Sequence, residues 1–223
     1  MTRERRYILR GNVDWQLDRY NRLKIGGEYT KYDIAHYNRG MATQDICFCD
    51  IYLEQPIRYD GFVENRLDLG DVIVVGGVRY DYYDSRSSHN VLADSGYVFP
   101  QIYSASGDAN QAPAVPVRAT SHDYLSPHIQ VSFPVTERTN FRLSYAHQVQ
   151  APDFGIIYAG KNTDLGKTNT NQLFGTDIDF AKTITFEFGV RHQFSEDMVL
   201  DLAAYNKDKL SDATARIFSV YDP

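Results

Sequence analysis

The amino-acid sequence predicts an all-β chain: an antiparallel up-and-down meander of about eight strands, of the kind that builds a transmembrane β-barrel. Three observations carry this. Apolar and polar residues alternate with period two over ten or more positions. That is longer than an ordinary globular strand and about the length a tilted strand needs to cross a bilayer. Turns of about two to five residues join the strands of each pair, whereas long loops join one pair to the next, the connection rule of outer-membrane barrels. The 17 tyrosines and 12 phenylalanines suit a barrel whose interfaces collect amphipathic rings.

In the first pair, Tyr7, Leu9, Gly11, Val13, Trp15 and Leu17 alternate with Arg10, Asn12, Asp14 and Gln16. A turn at Asp18-Arg19-Tyr20-Asn21 leads into Leu23, Ile25, Gly27 and Tyr29, which alternate with Lys24, Glu28 and Thr30. In the second, Tyr59, Gly61, Val63 and Leu67 oppose Asp60, Glu64, Arg66 and Asp68. Val72, Val74, Val78, Tyr80 and Tyr82 return after a turn near Leu69-Gly70-Asp71. The third pair sets Leu125, Pro127, Ile129, Val131 and Phe133 against Ser126, His128, Gln130 and Ser132. After a turn over 135–139 it returns through Phe141, Leu143, Tyr145 and Val149. The fourth places Ile184, Phe186, Phe188, Val190 and Phe194 against Thr183, Thr185, Glu187, Arg191 and Gln193, turns at Ser195-Glu196-Asp197, and returns through Leu200, Leu202 and Ala204. The loops between pairs are expected over Asn38–Gln55, Ser85–His122 and Ala151–Ala181, where Gly, Pro, Ser, Asn and Asp concentrate.

Length alone permits one soluble domain, since 223 residues can bury a sizeable core. Strand length and the asymmetry of the connections favour a membrane barrel over a soluble sandwich. With 23 basic and 29 acidic residues the net charge is −6, and no basic stripe supports nucleic acid as a partner. No run of about 18 apolar residues offers a helical span, which leaves a barrel open, because only alternate residues of a strand face lipid. Behind the basic start (Met1 to Arg6) only Tyr7-Ile8-Leu9 is apolar, too short for a secretory signal. A mature outer-membrane chain, or an internal piece of one, reads this way. Cys47 and Cys49 sit two apart in an expected loop, where a mutual disulfide would be strained and two thiols supply at most half a metal site.

The run from Leu125 to Tyr145 (LSPHIQVSFPVTERTNFRLSY) resembles a hairpin of the TonB-dependent receptors, the large outer-membrane transporters. Gln150-Ala151-Pro152-Asp153-Phe154 with Ile157-Tyr158 resembles the start of the family's following outer loop. Lys182 to Val190 and Leu200 to Asp208 are similar to its next two strands, with Ala181 where Glu is usual. Gly76 to Tyr83 resembles a strand one hairpin upstream. The wording is nearest to receptors that carry a carboxypeptidase-regulatory-like domain before the plug. The resemblance implies a Gram-negative outer-membrane location, a parent barrel of about twenty-two strands, and uptake of a bulky ligand such as a siderophore, cobalamin or oligosaccharide. It implies as partners the outer-membrane lipid, the remaining strands and plug of the receptor, and the TonB complex acting through that plug. No segment here reads as a plug or TonB box, and the chain ends Tyr221-Asp222-Pro223 without a terminal aromatic. Residues 1–223 are therefore expected to be a partial barrel with no plug and no signal peptide, with its first and last strands unpaired. A self-contained small barrel with an adhesive or structural role is the alternative.

No catalytic template is present: no Gly-x-Ser-x-Gly, His-Glu-x-x-His, Cys-x-x-Cys, P-loop or Gly-x-Gly-x-x-Gly. No enzyme activity, metal or cofactor is expected. An outer-membrane protease or lipase would need a converging Asp/His or Ser/His set that cannot be assembled. His147 and His192 fall in the apolar register near opposite ends of their strands and read as interface residues, while His128 falls in the polar register as a wall residue. Glu64, Arg66, Arg79, Arg142, Glu187 and Arg191, with Asp14, Glu28, Asp81 and Asp201, occupy the lumen-facing register. Pairing among themselves, with water or with a plug is the plain reading, since a wide barrel needs a polar interior. A charged wall that senses plug or substrate is the sharper one. Ligand contact is expected from outer-loop aromatics: Tyr97, Phe99, Tyr103, Phe154, Tyr158 and Phe174. Asp177-Ile178-Asp179 is too sparse for a calcium site.

Overall fold

A computed structural model describes residues 2–43, 46–92, 114–158, 172–173, 178–212 and 216–217. Eight long antiparallel strands form one open sheet: β1 (Thr2–Gln16), β2 (Asn21–Thr43), β4 (Ile57–Asp68), β5 (Ile73–Asp84), β8 (His122–Thr136), β9 (Thr139–Gln150), β11 (Ala181–Gln193) and β12 (Val199–Ser211). They follow one another in chain order, with β1 and β12 at the edges. This is the eight-stranded meander that the alternation predicts. A 12-residue strand such as β4 is about 40 Å long and, tilted by about 45°, rises about 28 Å, enough for an apolar band of about 25 Å.

Register puts every apolar stripe on one face. Val13 pairs with Ile25, Ile25 with Val63 and Val63 with Val78. Farther along the sheet Ile129 meets Tyr145, and Tyr145 meets Phe186. Because the side-chain period is two, these pairs commit the intervening residues to the opposite face. Large apolar side chains consequently stand in the open, Leu9 at 75% and Trp15 at 60% of full exposure. That is ruinous in water and expected in lipid. No helix among the described residues is long and apolar enough to cross a membrane.

The short turns lie at 17–20, 69–72, 137–138 and 194–198. In the first, Asp18 Oδ1 accepts from the backbone N–H of Tyr20 (2.7 Å) and Asn21 (2.9 Å), and Oδ2 accepts from Asn21 Nδ2 (2.8 Å). The Tyr20 bond above all holds the Asp18 carboxyl below the usual carboxylate range. Its contribution is therefore complete above the unfolded value of about 4 and is lost as pH falls through the lower folded value. Asp18→Ala should lower the unfolding midpoint and Asp18→Asn, which keeps an acceptor, should restore most of it in denaturant titrations in micelles. In the second turn Gly70 takes φ +83°, which a side chain would strain.

The long connections are more ordered than the sequence suggests. The loop expected over Asn38–Gln55 is instead a projecting hairpin: β2 runs on to Thr43 and pairs with β3 (Ile46–Glu54). Asn38, Gly40 and Asp50 read as loop signals, yet the Ile-Cys-Phe-Cys and Ile-Tyr-Leu runs around them are β-formers that only need a partner. Cys47 and Cys49 thus lie in a strand, their backbones opposite Met41 and Arg39. Gln55-Pro56 separates β3 from β4, and the Pro56 carbonyl accepts from Tyr32 N–H at 3.0 Å. The second long connection contains a small hairpin, β6 (Ser88–Leu92) with β7 (Ala114–Arg118). The third opens with one helical turn, α1 (Phe154–Ile157), capped by Asp153, and contains β10 (Gln172–Leu173), which pairs with β13 (Arg216–Ile217).

Candidate functional site

The polar register forms a continuous charged surface on the inner face. Arg22 forks onto Asp14 through two 2.7 Å bonds, and Arg10 pairs with Glu28 across the β1–β2 ladder. Glu64 on β4 receives Lys24 from β2 (3.8 Å) and His128 from β8 (3.1 Å). His128 reaches across the intervening β5 because Gly77, its partner in register, offers no side chain. Arg79 bridges Asp60 (3.0 Å) and Asp81 (2.9 Å), two carboxylates that face each other in the β4–β5 ladder. Arg142 meets Asp201 at 2.7 Å, across β11. Arg66 lies 3.9 Å from Asp68, while Glu187 and Arg191 make no ion pair among the described residues. Most of these charges therefore neutralise one another, and all the pairs but Arg79–Asp81 and Arg66–Asp68 cross a strand boundary and tie the wall sideways. Asp60 and Lys24 are partners the lumen set lacks, although both alternate in the polar register.

Arg79→Ala should cost about 1–2 kcal/mol, discounted for its half exposure, because two like charges then face each other partly desolvated. Asp81→Asn on that background should recover most of the loss in guanidinium unfolding. An Arg79→Ala midpoint equal to wild type would mean that the bridge contributes nothing.

Above this ladder, at the rim carrying the long connections, the inner face turns aromatic. Tyr32, Ile34, Tyr52, Tyr83, Phe154, Ile157, Tyr158 and Phe180 form the buried cluster. The register explains the strand members: Tyr32 opposes Arg6, and Arg58 opposes both Thr30 and Tyr83, all on the polar face. Asp153 starts α1 by accepting from Gly155 N–H at 2.6 Å, which turns Phe154, Ile157 and Tyr158 inward. Phe154 meets Tyr32 edge-on at 4.9 Å, and Tyr83 meets Phe180 likewise at 5.1 Å. Arg58 donates to the Pro152 carbonyl (2.6 Å) and lies 4.1 Å over the Phe154 ring. Tyr158 is fully buried and its hydroxyl donates to the Ser85 carbonyl at 2.5 Å; burial, then the charges of Glu54 and Asp84, push that phenol strongly up.

Between this cluster and the outer end of β1 lies a cavity of about 780 Å³, lined by Arg6, Tyr32, His36, Tyr52, Arg58 and Phe154 among others. Of the loop aromatics expected from sequence, Phe154 lines this cavity and Tyr158 lies buried beneath it. Tyr97, Phe99, Tyr103 and Phe174 fall outside the described residues. The strand residues Arg6, Tyr32, His36 and Arg58 were missed as site members. Register parity was the available signal, because each falls in the polar alternation just above the last lumen charge. His147 hydrogen-bonds the hydroxyls of Tyr124 (3.0 Å) and Tyr145 (2.7 Å), and His192 bonds Thr139 (2.9 Å). No group of three His, Cys, Asp or Glu among the described residues is arranged to hold a metal.

The family model for the TonB dependent receptor-like β-barrel matches residues 1–218. The chain belongs to that family. TonB-dependent receptors are β-barrel proteins of the Gram-negative outer membrane, and they are receptors and transporters that bind ligands and pair with a plug domain and TonB. The chain is similar to the ferric aerobactin receptor of Klebsiella pneumoniae, at 25% identity over 151 residues, 65% of this chain and 20% of that receptor. Its fold is like that of a mutant ferric enterobactin receptor of Pseudomonas aeruginosa (TM-score 0.61, 15% identity, 93% of this chain and 27% of that one). It is also like that of the ferric-catecholate import receptor Fiu of E. coli (TM-score 0.54, 18% identity, 97% and 34%). The chain thus spans about a fifth to a third of the length of these TonB-dependent relatives.

Proposed function

We propose that residues 1–223 supply a partial β-barrel, an arc of the wall of a TonB-dependent transporter that takes up a bulky ligand across the outer membrane. The carrying observation is the sheet's two-sidedness: an apolar face for lipid, and a cross-linked charged face that ends in an aromatic rim cavity. The ligand class is the one that the relatives' names suggest, a metal complex such as a ferric siderophore, with cobalamin and oligosaccharide as other members of the bulky class. Phe154 meets it at the cavity, and Tyr97, Phe99, Tyr103 and Phe174 meet it from the loops. Tyr158 supports them from below. Glu64, Arg66, Arg79, Arg142, Glu187 and Arg191 form the water-filled side of the wall and face the plug, which couples the receptor to TonB. The lipid, the remaining strands and the plug are its partners. The chain has no catalytic role.

Deletion of the coding region, followed by uptake assays with labelled ferric siderophores, haem, cobalamin and oligosaccharides, tests this reading. Loss of one uptake activity that a protonophore also abolishes is expected. Unchanged uptake of every ligand would contradict it.

A further inference from the structure

The wall divides at one place. The β8–β9 ladder starts at Thr136↔Thr139 and ends at His128↔Ala146. Both strands continue beyond that point with their other neighbours, β8 pairing with β5 as far as Tyr83↔His122 and β9 with β11 as far as Ala181↔Gln150. The first β8 residue past the break is Pro127, which has no N–H to give. Its pairing with Val78 on β5 persists, so the side left without a partner is the one facing β9. Pro127 lies ten residues above the 137–138 turn, about 33 Å of strand and about 23 Å of height at a 45° tilt. The seam thus opens at about the top of the apolar band, where water can satisfy the released N–H and C=O groups.

Above the seam, β9 has moved to the inner side of β8. Val149 belongs to the lipid-facing register of Leu143 and Tyr145, yet it packs against the inner cluster, together with Ala151 and Ile178. His147, in the same register, bonds Tyr124, which opposes Asp81 on the inner face. Lipid-register residues can meet lumen-register residues only if one strand crosses in front of the other. A register shift between Lys182 and Thr183 on β11, facing Ser211 and Lys209, sits at the same level and supplies the bend.

The geometry points to a hinged leaf: residues 147–158, 178–184 and 208–211 form one body that pivots on the Pro127 seam and is latched across the mouth by Arg58 and Tyr158. Arg58 on β4 holds the Pro152 carbonyl and the Phe154 ring, and Tyr158 holds the Ser85 carbonyl beyond β5. Both latches reach residues on the far side of the seam, Arg58 on β4 and Ser85 just past the end of β5. The cavity lies between the leaf and β1, so the leaf's position sets its width. A leaf that swings only above the hydrocarbon lets the mouth change size without breaking a ladder inside the membrane.

Hydrogen exchange on the full chain in detergent-solubilised outer membranes tests this. In the double variant Arg58→Ala/Tyr158→Phe, amides 147–158 should exchange at least tenfold faster, while 139–145 and 122–126 stay within twofold of wild type. A uniform rise across β8 and β9, or no rise at 147–158, would overturn the leaf. Pro127→Val, tested separately, restores a donor facing β9 and should slow exchange at 147–149 by extending the ladder. Exchange there that is unchanged or faster would overturn Pro127 as the hinge.

Discussion

Gly77→Val is expected to destabilise the wall by about 2–4 kcal/mol, as overpacking combined with a lost partly buried ion pair. A Cβ at residue 77 would stand 2.6 Å from the Val63 carbonyl oxygen and 2.7 Å from His128 Cε1. The oxygen is backbone and cannot step aside, so β4 and β5 must separate there. The imidazole would have to leave, and with it the 3.1 Å contact to Glu64 that crosses β5. Gly76→Val supplies the control. Its Cβ would meet nothing within 4 Å, and it sits in the lipid register between Asn65 and Ile129. There a β-branched side chain should be neutral or mildly favourable. Guanidinium unfolding in micelles compares the two, and equal midpoints would refute the inner-face assignment of Gly77.

The second large effect is Phe188→Arg. Phe188 lies about midway up β11, in the apolar register between Leu143 and Ala204, with its ring 5.5 Å from Phe141. An arginine on the lipid face at the bilayer midplane costs about 2–4 kcal/mol. Glu187→Arg, one residue away on the inner face opposite Ser144 and Tyr205, should change stability by less than about 1 kcal/mol, because water reaches that surface. Denaturation in lipid vesicles measures both. Comparable losses at the two positions would mean that the alternation does not separate lipid from water.

The strands were legible in the sequence because each obeys a local rule. Val13, Ile25, Val63 and Val78 each alternate within their own segment, and the turns at Asp18 and Gly70 carry their own chemistry. Pairing in chain order then places all four on one face without further information. The rim was not legible, because its residues answer to distant partners. Phe154 and Tyr158 read as loop aromatics until Arg58, 94 residues from Pro152, supplies the anchor that turns them inward. The β2–β3 hairpin was lost to Asn38 and Gly40, which signal a loop locally but are carried by the pairing of Tyr37 with Ile51 and of His36 with Tyr52. Val149 shows the limit of parity itself. It keeps the lipid register by counting, yet it joins the inner cluster because Pro127 ends the ladder beneath it.

Two-sidedness is the central claim, and a spin-label scan along β11 tests it most directly. Single cysteines at 184 through 191, on a background with Cys47 and Cys49 replaced by Ser, would be labelled in outer-membrane vesicles, and collision with oxygen compared with collision with a water-soluble nickel complex. The account predicts strict alternation: 184, 186, 188 and 190 favour oxygen, and 185, 187, 189 and 191 favour the nickel complex. A profile without period two, or one in which both sets favour the nickel complex, would contradict it.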